Sequence, residues 1–194
     1  MAVWSPTVRQ KSHQDHANAI PKALRYGLDV FSCQEVADKY KGVKVLLTKR
    51  KYKIGGFTVQ PIKVAHNVEC YAYLIEHEEI GRLLFATDLV MFPYKIRSLN
   101  HIMIEMNYSE DIMIDRLVKN DILRSQSQNH SEMYDTIDAI RNNYNSNLQN
   151  VILIHLSDSL SDEEIFKHTV RNEIGIIPYI AKKDLTIEIN KEVF

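Results

Sequence analysis

Three strand-like runs stand in succession, Lys44 to Thr48, Phe57 to Val64 and Tyr71 to Glu76, broken only by Gly55-Gly56 and by a loop carrying His66. Their β-branched and aromatic content, bounded by turn residues, predicts uninterrupted sheet. Before them the pattern is α-β-α. A helix over Ala17 to Tyr26 contains Pro21 and stops at Gly27, a short strand covers Val30 to Ser32, and a second helix runs near Gln34 to Tyr40.

After them the period changes. Arg82 to Thr87 and His101 to Glu105 are short apolar runs of the kind buried in a sheet, and each ends in acidic or polar residues. Helical spacing returns from Glu110 to Leu123 and from Ser131 to Tyr144, with Ser131 as the expected N-cap. A strand at Val151 to Ile154, a helix at Ser161 to Asn172 and strands at Ile177 to Ala181 and Leu185 to Ile189 complete the chain. Strands in a row followed by helix–strand alternation predict a layered α/β sandwich, with one domain over residues 1–194.

The 24 basic and 25 acidic residues leave a net charge of -1, so no global field draws the chain to nucleic acid or to an anionic membrane. Cys33 and Cys70 are far apart and outside any CxxC spacing, which excludes a disulfide framework and a thiolate zinc site. With no apolar run long enough for a signal peptide or a membrane span, the expected setting is the cytosol, without membrane contact.

Four places combine metal-ligating residue types with strand ends or tight loops: Ser12-His13-Gln14-Asp15-His16, His66, Asp88 after Phe85-Ala86-Thr87, and His155 after Val151 to Ile154. Imidazole and carboxylate together suit zinc, manganese or iron, ions that accept both nitrogen and oxygen donors. Three of these places also have a plainer explanation. Asp15 sits where a helix cap belongs, Asp88 could close a strand-to-loop turn, and His155 could be a buried polar group bonded to a carbonyl. His77, His101 and His168 are expected to be ordinary, and the basic run Lys49, Arg50, Lys51, Lys53 is expected to be a solvated hairpin. His130, just before a helix start, is a candidate to meet a substrate phosphate or carboxylate.

In order along the chain, these places resemble the metallo-β-lactamase-fold hydrolases, whose first motif is His-x-His-x-Asp-His, followed by a later His, a bridging Asp and a final His. The stretches Ile54-Gly55-Gly56-Phe57, Leu84-Phe85-Ala86-Thr87-Asp88, Asn100-His101-Ile102-Met103-Ile104-Glu105 and Ile154-His155-Leu156-Ser157-Asp158 are similar to bacterial and phage members, some exonuclease-like and some degrading cyclic nucleotides. The resemblance implies an αββα sandwich. It would place His13, His66 and Asp88 at a first metal and Asp15, His16, Asp88 and His155 at a second. Asp88 then bridges, and Asp15 and Asp88 are the catalytic carboxylates. Water acidified between the ions attacks a phosphodiester or nucleotide-like substrate.

Two departures bear on this expectation. Lys11 stands where the motif's first His belongs, and an ammonium offers no lone pair to a cation. Only ten residues precede it, so the fold is expected to lack its N-terminal strands; either another chain, such as a second copy, completes the sheet, or the gene is shortened, or the start is misplaced, the first two being preferred. From the same departures comes an alternative function, a weak or inactive metal-binding remnant that serves as an interaction module. A nucleic-acid binder without chemistry is disfavoured by the near-zero net charge.

Overall fold

The computed structural model describes residues 7–8, 18–115 and 127–191. Its first sheet is small and wholly parallel, built from β1 (Thr7–Val8), β2 (Val30–Ser32) and β3 (Lys44–Val45) in that order. Between these strands lie two short helices, α1 (Ile20–Arg25) and α2 (Gln34–Lys39). Pro21 sits in the first turn of α1, where its missing N–H costs nothing.

The second sheet has seven strands in the order β10-β9-β8-β7-β6-β5-β4. Strands β4 (Tyr52–Ile54), β5 (Phe57–Val64), β6 (Cys70–His77) and β7 (Gly81–Ala86) pair antiparallel through short turns. From β7 the sheet becomes parallel through β8 (His101–Glu105), β9 (Asn150–Ile154) and β10 (Tyr179–Ile180). Parallel neighbours need crossovers: that from β8 to β9 carries α3 (Glu110–Asp115) and α4 (Met133–Asn143), that from β9 to β10 carries α5 (Glu163–Ile174), and that from β7 to β8 is a loop.

Period-two burial sorts the side chains of the large sheet into two cores. Ala72 and Leu74 of β6, Leu84 and Ala86 of β7, Ile102 and Ile104 of β8, and Val151 and Leu153 of β9 pack with Ile137 and Ile140 of α4 and Phe166 and Val170 of α5. The alternate residues Tyr71, Tyr73 and Ile75 pack with Ile20, Val30, Val36 and Leu46 from the small-sheet side. The layers are therefore helix, sheet, sheet, helix. Among the described residues, no helix is long and apolar enough to cross a membrane.

Several local expectations are corrected. The N-cap of α4 is Glu132, whose carboxylate accepts from Tyr134 N, while the Ser131 hydroxyl is buried against Thr136 Oγ1 at 2.8 Å. Helix α5 is capped by Asp162, which accepts from Glu164 N and Ile165 N at 3.0 Å. β3 ends at Val45: Leu46 N still bonds Ser32 O of β2, but Leu47 N turns away to the Tyr52 hydroxyl. The run over residues 185–189 forms no strand. Its apolar residues Leu185, Ile187 and Ile189 instead line a cavity of about 200 Å³ with Leu83, Met103 and Ile152 on the sheet face.

Candidate metal centre

The parallel strands β7, β8 and β9 end at the same edge of the sheet, and β5, two antiparallel steps from β7, ends there too. His66 follows β5, Asp88 follows β7, Glu105 is the last residue of β8, and His155 follows β9. Strand direction thus gathers residues far apart in sequence at the carboxyl edge, the usual place for ligands in such sheets. His130 arrives from the loop before α4. Asp88, Glu105, His130 and His155 each offer a donor atom, and these atoms all lie within 4.8 Å of one another.

Glu105 is the hub. Its Oε1 lies 2.6 Å from His130 Nδ1 and 3.2 Å from His155 Nδ1, and its Oε2 accepts from Leu89 N at 3.1 Å. Burial by itself would push this carboxyl up, but the hydrogen bonds and charge of His130 and His155 outweigh it and hold Glu105 below its ordinary value. A fully buried carboxylate is therefore kept ionised by the two imidazoles it bonds.

An ionised carboxylate only accepts hydrogen bonds, so Nδ1 carries the proton in both His130 and His155. His66 Nδ1 lies 2.8 Å from the carbonyl oxygen of Asn129 and must donate as well. In all three rings the lone pair is then on Nε2. The rings adjoin: His130 has its centroid 5.5 Å from His66 and 5.1 Å from His155. A histidine that ligates a metal commonly shows this arrangement, with the far nitrogen donating to a carboxylate or carbonyl. Two carboxylates and three imidazoles in one tautomer fit a borderline divalent cation by donor chemistry and by charge.

Asp88 and His155 lie close, with Oδ1 and Nδ1 3.6 Å apart. Both have left-handed backbones, at φ 56 and φ 57. Outliers of this kind persist only where surrounding bonds hold them. Val90 N, just beyond Asp88, bonds Ala65 O at 3.0 Å, tying the Asp88 turn to the His66 loop.

Of the residues singled out in the sequence, the fold brings His66, Asp88, His130 and His155 to one edge. His13, Asp15, His16 and Lys11 lie outside the described residues. His130 meets the Glu105 carboxylate, whereas the first turn of α4 is already capped by Glu132. Glu105 was not singled out as a site residue, although the acidic end of an otherwise apolar strand was its visible signal.

Two packed sheets between helices, with histidines and carboxylates at the carboxyl edge of the larger one, are an architecture this chain shares with solved proteins of the metallo-β-lactamase fold. The chain matches YhfI from Bacillus subtilis, a protein of that fold, with a TM-score of 0.70 at 15% identity, covering 95% of this chain and 78% of that one. A putative metal-dependent hydrolase from Parabacteroides distasonis matches with a TM-score of 0.68 at 13% identity over 91% of this chain and 75% of that one. A diphosphatase of the PhnP family matches with a TM-score of 0.63 at 14% identity over 93% and 69%. No protein-family model and no curated protein matches the sequence.

Proposed function

We propose that this protein is a metal-dependent hydrolase acting on phosphodiester or diphosphate bonds. The observation that carries the proposal is the cluster of Asp88, Glu105 and His155 at the ends of three adjacent strands with His130 from the loop before α4, its two carboxylates buried and its two imidazoles partly exposed. Resemblance to a hydrolase and to a diphosphatase of the same fold supports the substrate class, which the fold by itself does not transfer.

His66 with Asp88 at a first site and His155 with Asp88 at a second are the groups that would hold one or two divalent ions, with zinc, manganese and iron all compatible with mixed N/O donors. The corresponding expectation for His13, Asp15 and His16 stands as part of the same proposal. A bound ion would supply Lewis acidity, polarising the scissile bond and acidifying water.

The chain's own groups do the rest. Glu105 stays ionised and fixes the tautomers of His130 and His155. His155, with 31% of its side chain exposed, and His130, with 19%, are reachable from solvent, whereas Asp88 and Glu105 are sealed below them. His130 keeps its Nδ1–H on Glu105 and its Nε2 lone pair free of that bond; on taking a second proton at Nε2 it would hand that proton to the leaving oxygen as the bond breaks.

The test is metal analysis of the purified chain together with hydrolysis of bis-p-nitrophenyl phosphate in added manganese or zinc. Stoichiometric metal and turnover abolished by Asp88→Ala or His155→Ala support the enzyme. Metal uptake without turnover of any diester or diphosphate leaves the binding-module alternative, and no uptake ends both.

A further inference from the structure

We infer that Asn107, two residues beyond the end of β8, is the positioning residue that sets the orientation of His155. The inference rests on the metal-centre proposal and extends it to a side chain that touches no donor atom. β8 lies between β7 and β9 in the sheet, so its C-terminal extension runs between the turn bearing Asp88 and the turn bearing His155. Glu105 serves one side by accepting from Leu89 N, the amide that follows Asp88.

Asn107 serves the other. Its side-chain Nδ2 donates to the His155 carbonyl at 2.7 Å, the shortest of three bonds it makes around the site. Its backbone carbonyl accepts from Ser157 N at 2.9 Å, and its backbone N–H donates to Ser131 O, beside His130, at 2.9 Å. One residue thereby fastens the loops of His155 and His130 to the strand that carries their shared acceptor.

The side-chain bond matters most because of the backbone it holds. At φ 57, His155 is in a region that a β-carbon disfavours, and its peptide carbonyl would turn away if the residue relaxed to the ordinary extended basin. The amide of Asn107 binds that carbonyl in the left-handed orientation. Released, the Cα–Cβ bond of His155 swings, carrying the imidazole away from Glu105 and Asp88. Positioning partners of metal ligands commonly alter affinity by about tenfold to a hundredfold.

The experiment compares the full chain with Asn107→Ala, with Asn107→Asp, which is isosteric but lacks the donor, and with Asn145→Ala. Asn145 makes a similar amide-to-carbonyl bond, to Leu99 O at 3.1 Å, away from the centre. Two quantities are read: cobalt(II) affinity, and the imidazole nitrogen chemical shifts of His155 in metal-free protein. The expected result is a loss of cobalt affinity of about ten- to a hundredfold in both Asn107 variants and not in Asn145→Ala, with the Nδ1-protonated signature of His155 lost alongside. Unchanged affinity and an unchanged His155 signature in a folded Asn107 variant overturn the inference, as does an equal loss in Asn145→Ala. If the parent chain takes up no cobalt, the hydrolase proposal fails, and the nitrogen shifts still decide whether Asn107 orients His155.

Discussion

Asp88 and His155, two residues beyond β7 and one beyond β9, face each other at 3.6 Å with matching left-handed backbones, although 67 positions (155 − 88) separate them. Strained turns of this kind aim side chains back over the sheet edge. Asparagine tolerates the left-handed region well, so Asp88→Asn keeps the turn while removing the charge a cation needs. Metal affinity should fall at least tenfold, and the melting temperature of the metal-free protein should stay level or rise, the pattern of a site that trades stability for function. Cobalt titration and a thermal melt on the same sample check both halves.

The short contact between His130 and Glu105 makes a different prediction for kinetics. If His130 donates the leaving-group proton, His130→Ala should cost about 10²- to 10⁴-fold in kcat on a diester with an alkoxide leaving group. With p-nitrophenolate, which leaves without a proton, the loss should be far smaller. Equal losses on the two substrates would exclude His130 as the donor and leave it a role in binding.

His101 supplies a pH-dependent stability unrelated to the centre. It is fully buried at the start of β8, with Nδ1 3.0 Å from Asn150 Nδ2, and burial pushes its pKa below the usual 6.5. The unfolded chain therefore binds the proton more readily than the folded one. Stability from this group is complete above about pH 6.5 and is lost as the pH falls through the lower folded value. Denaturant midpoints should be flat from pH 7 to 8 and decline below 6.5, and His101→Gln should remove most of that slope.

At Gly81 the fold depends on the absence of a side chain. Its φ is 70, and an added Cβ would stand 2.2 Å from Asn100 Oδ1, the atom that accepts from Arg82 N at 3.0 Å. Gly81→Ala combines backbone strain with displacement of a hydrogen-bonded side chain and should destabilise by about 1–3 kcal/mol. Because the β6–β7 turn lies at the opposite edge from Asp88, cobalt affinity should be unchanged, which an equilibrium unfolding series and a titration together will show.

How much of this was legible beforehand differs by element. His101 to Glu105 was readable to the residue as a buried strand, because alternation and length are local properties. Likewise His66, Asp88 and His155 stood out as ligand types just past strand-like runs. The cap of α4 was not readable, since Ser131 and Glu132 are both able caps and the choice went to Glu132 once Thr136 engaged the serine. Nor was the fate of residues 185–189, whose apolar residues suit a strand equally well but found a sheet face to cover instead of an edge to pair with.

Local chemistry by itself determined the strand runs, the change of period in mid-chain and the types of donor at the strand ends. Tertiary structure alone decided which donors meet. Whether Glu105 faces water or two imidazoles depends on β8 lying between β7 and β9, and whether Asn107 reaches the His155 carbonyl depends on two parallel strands ending level. Strand order and register are set by packing between distant segments, and no local period along the chain encodes them.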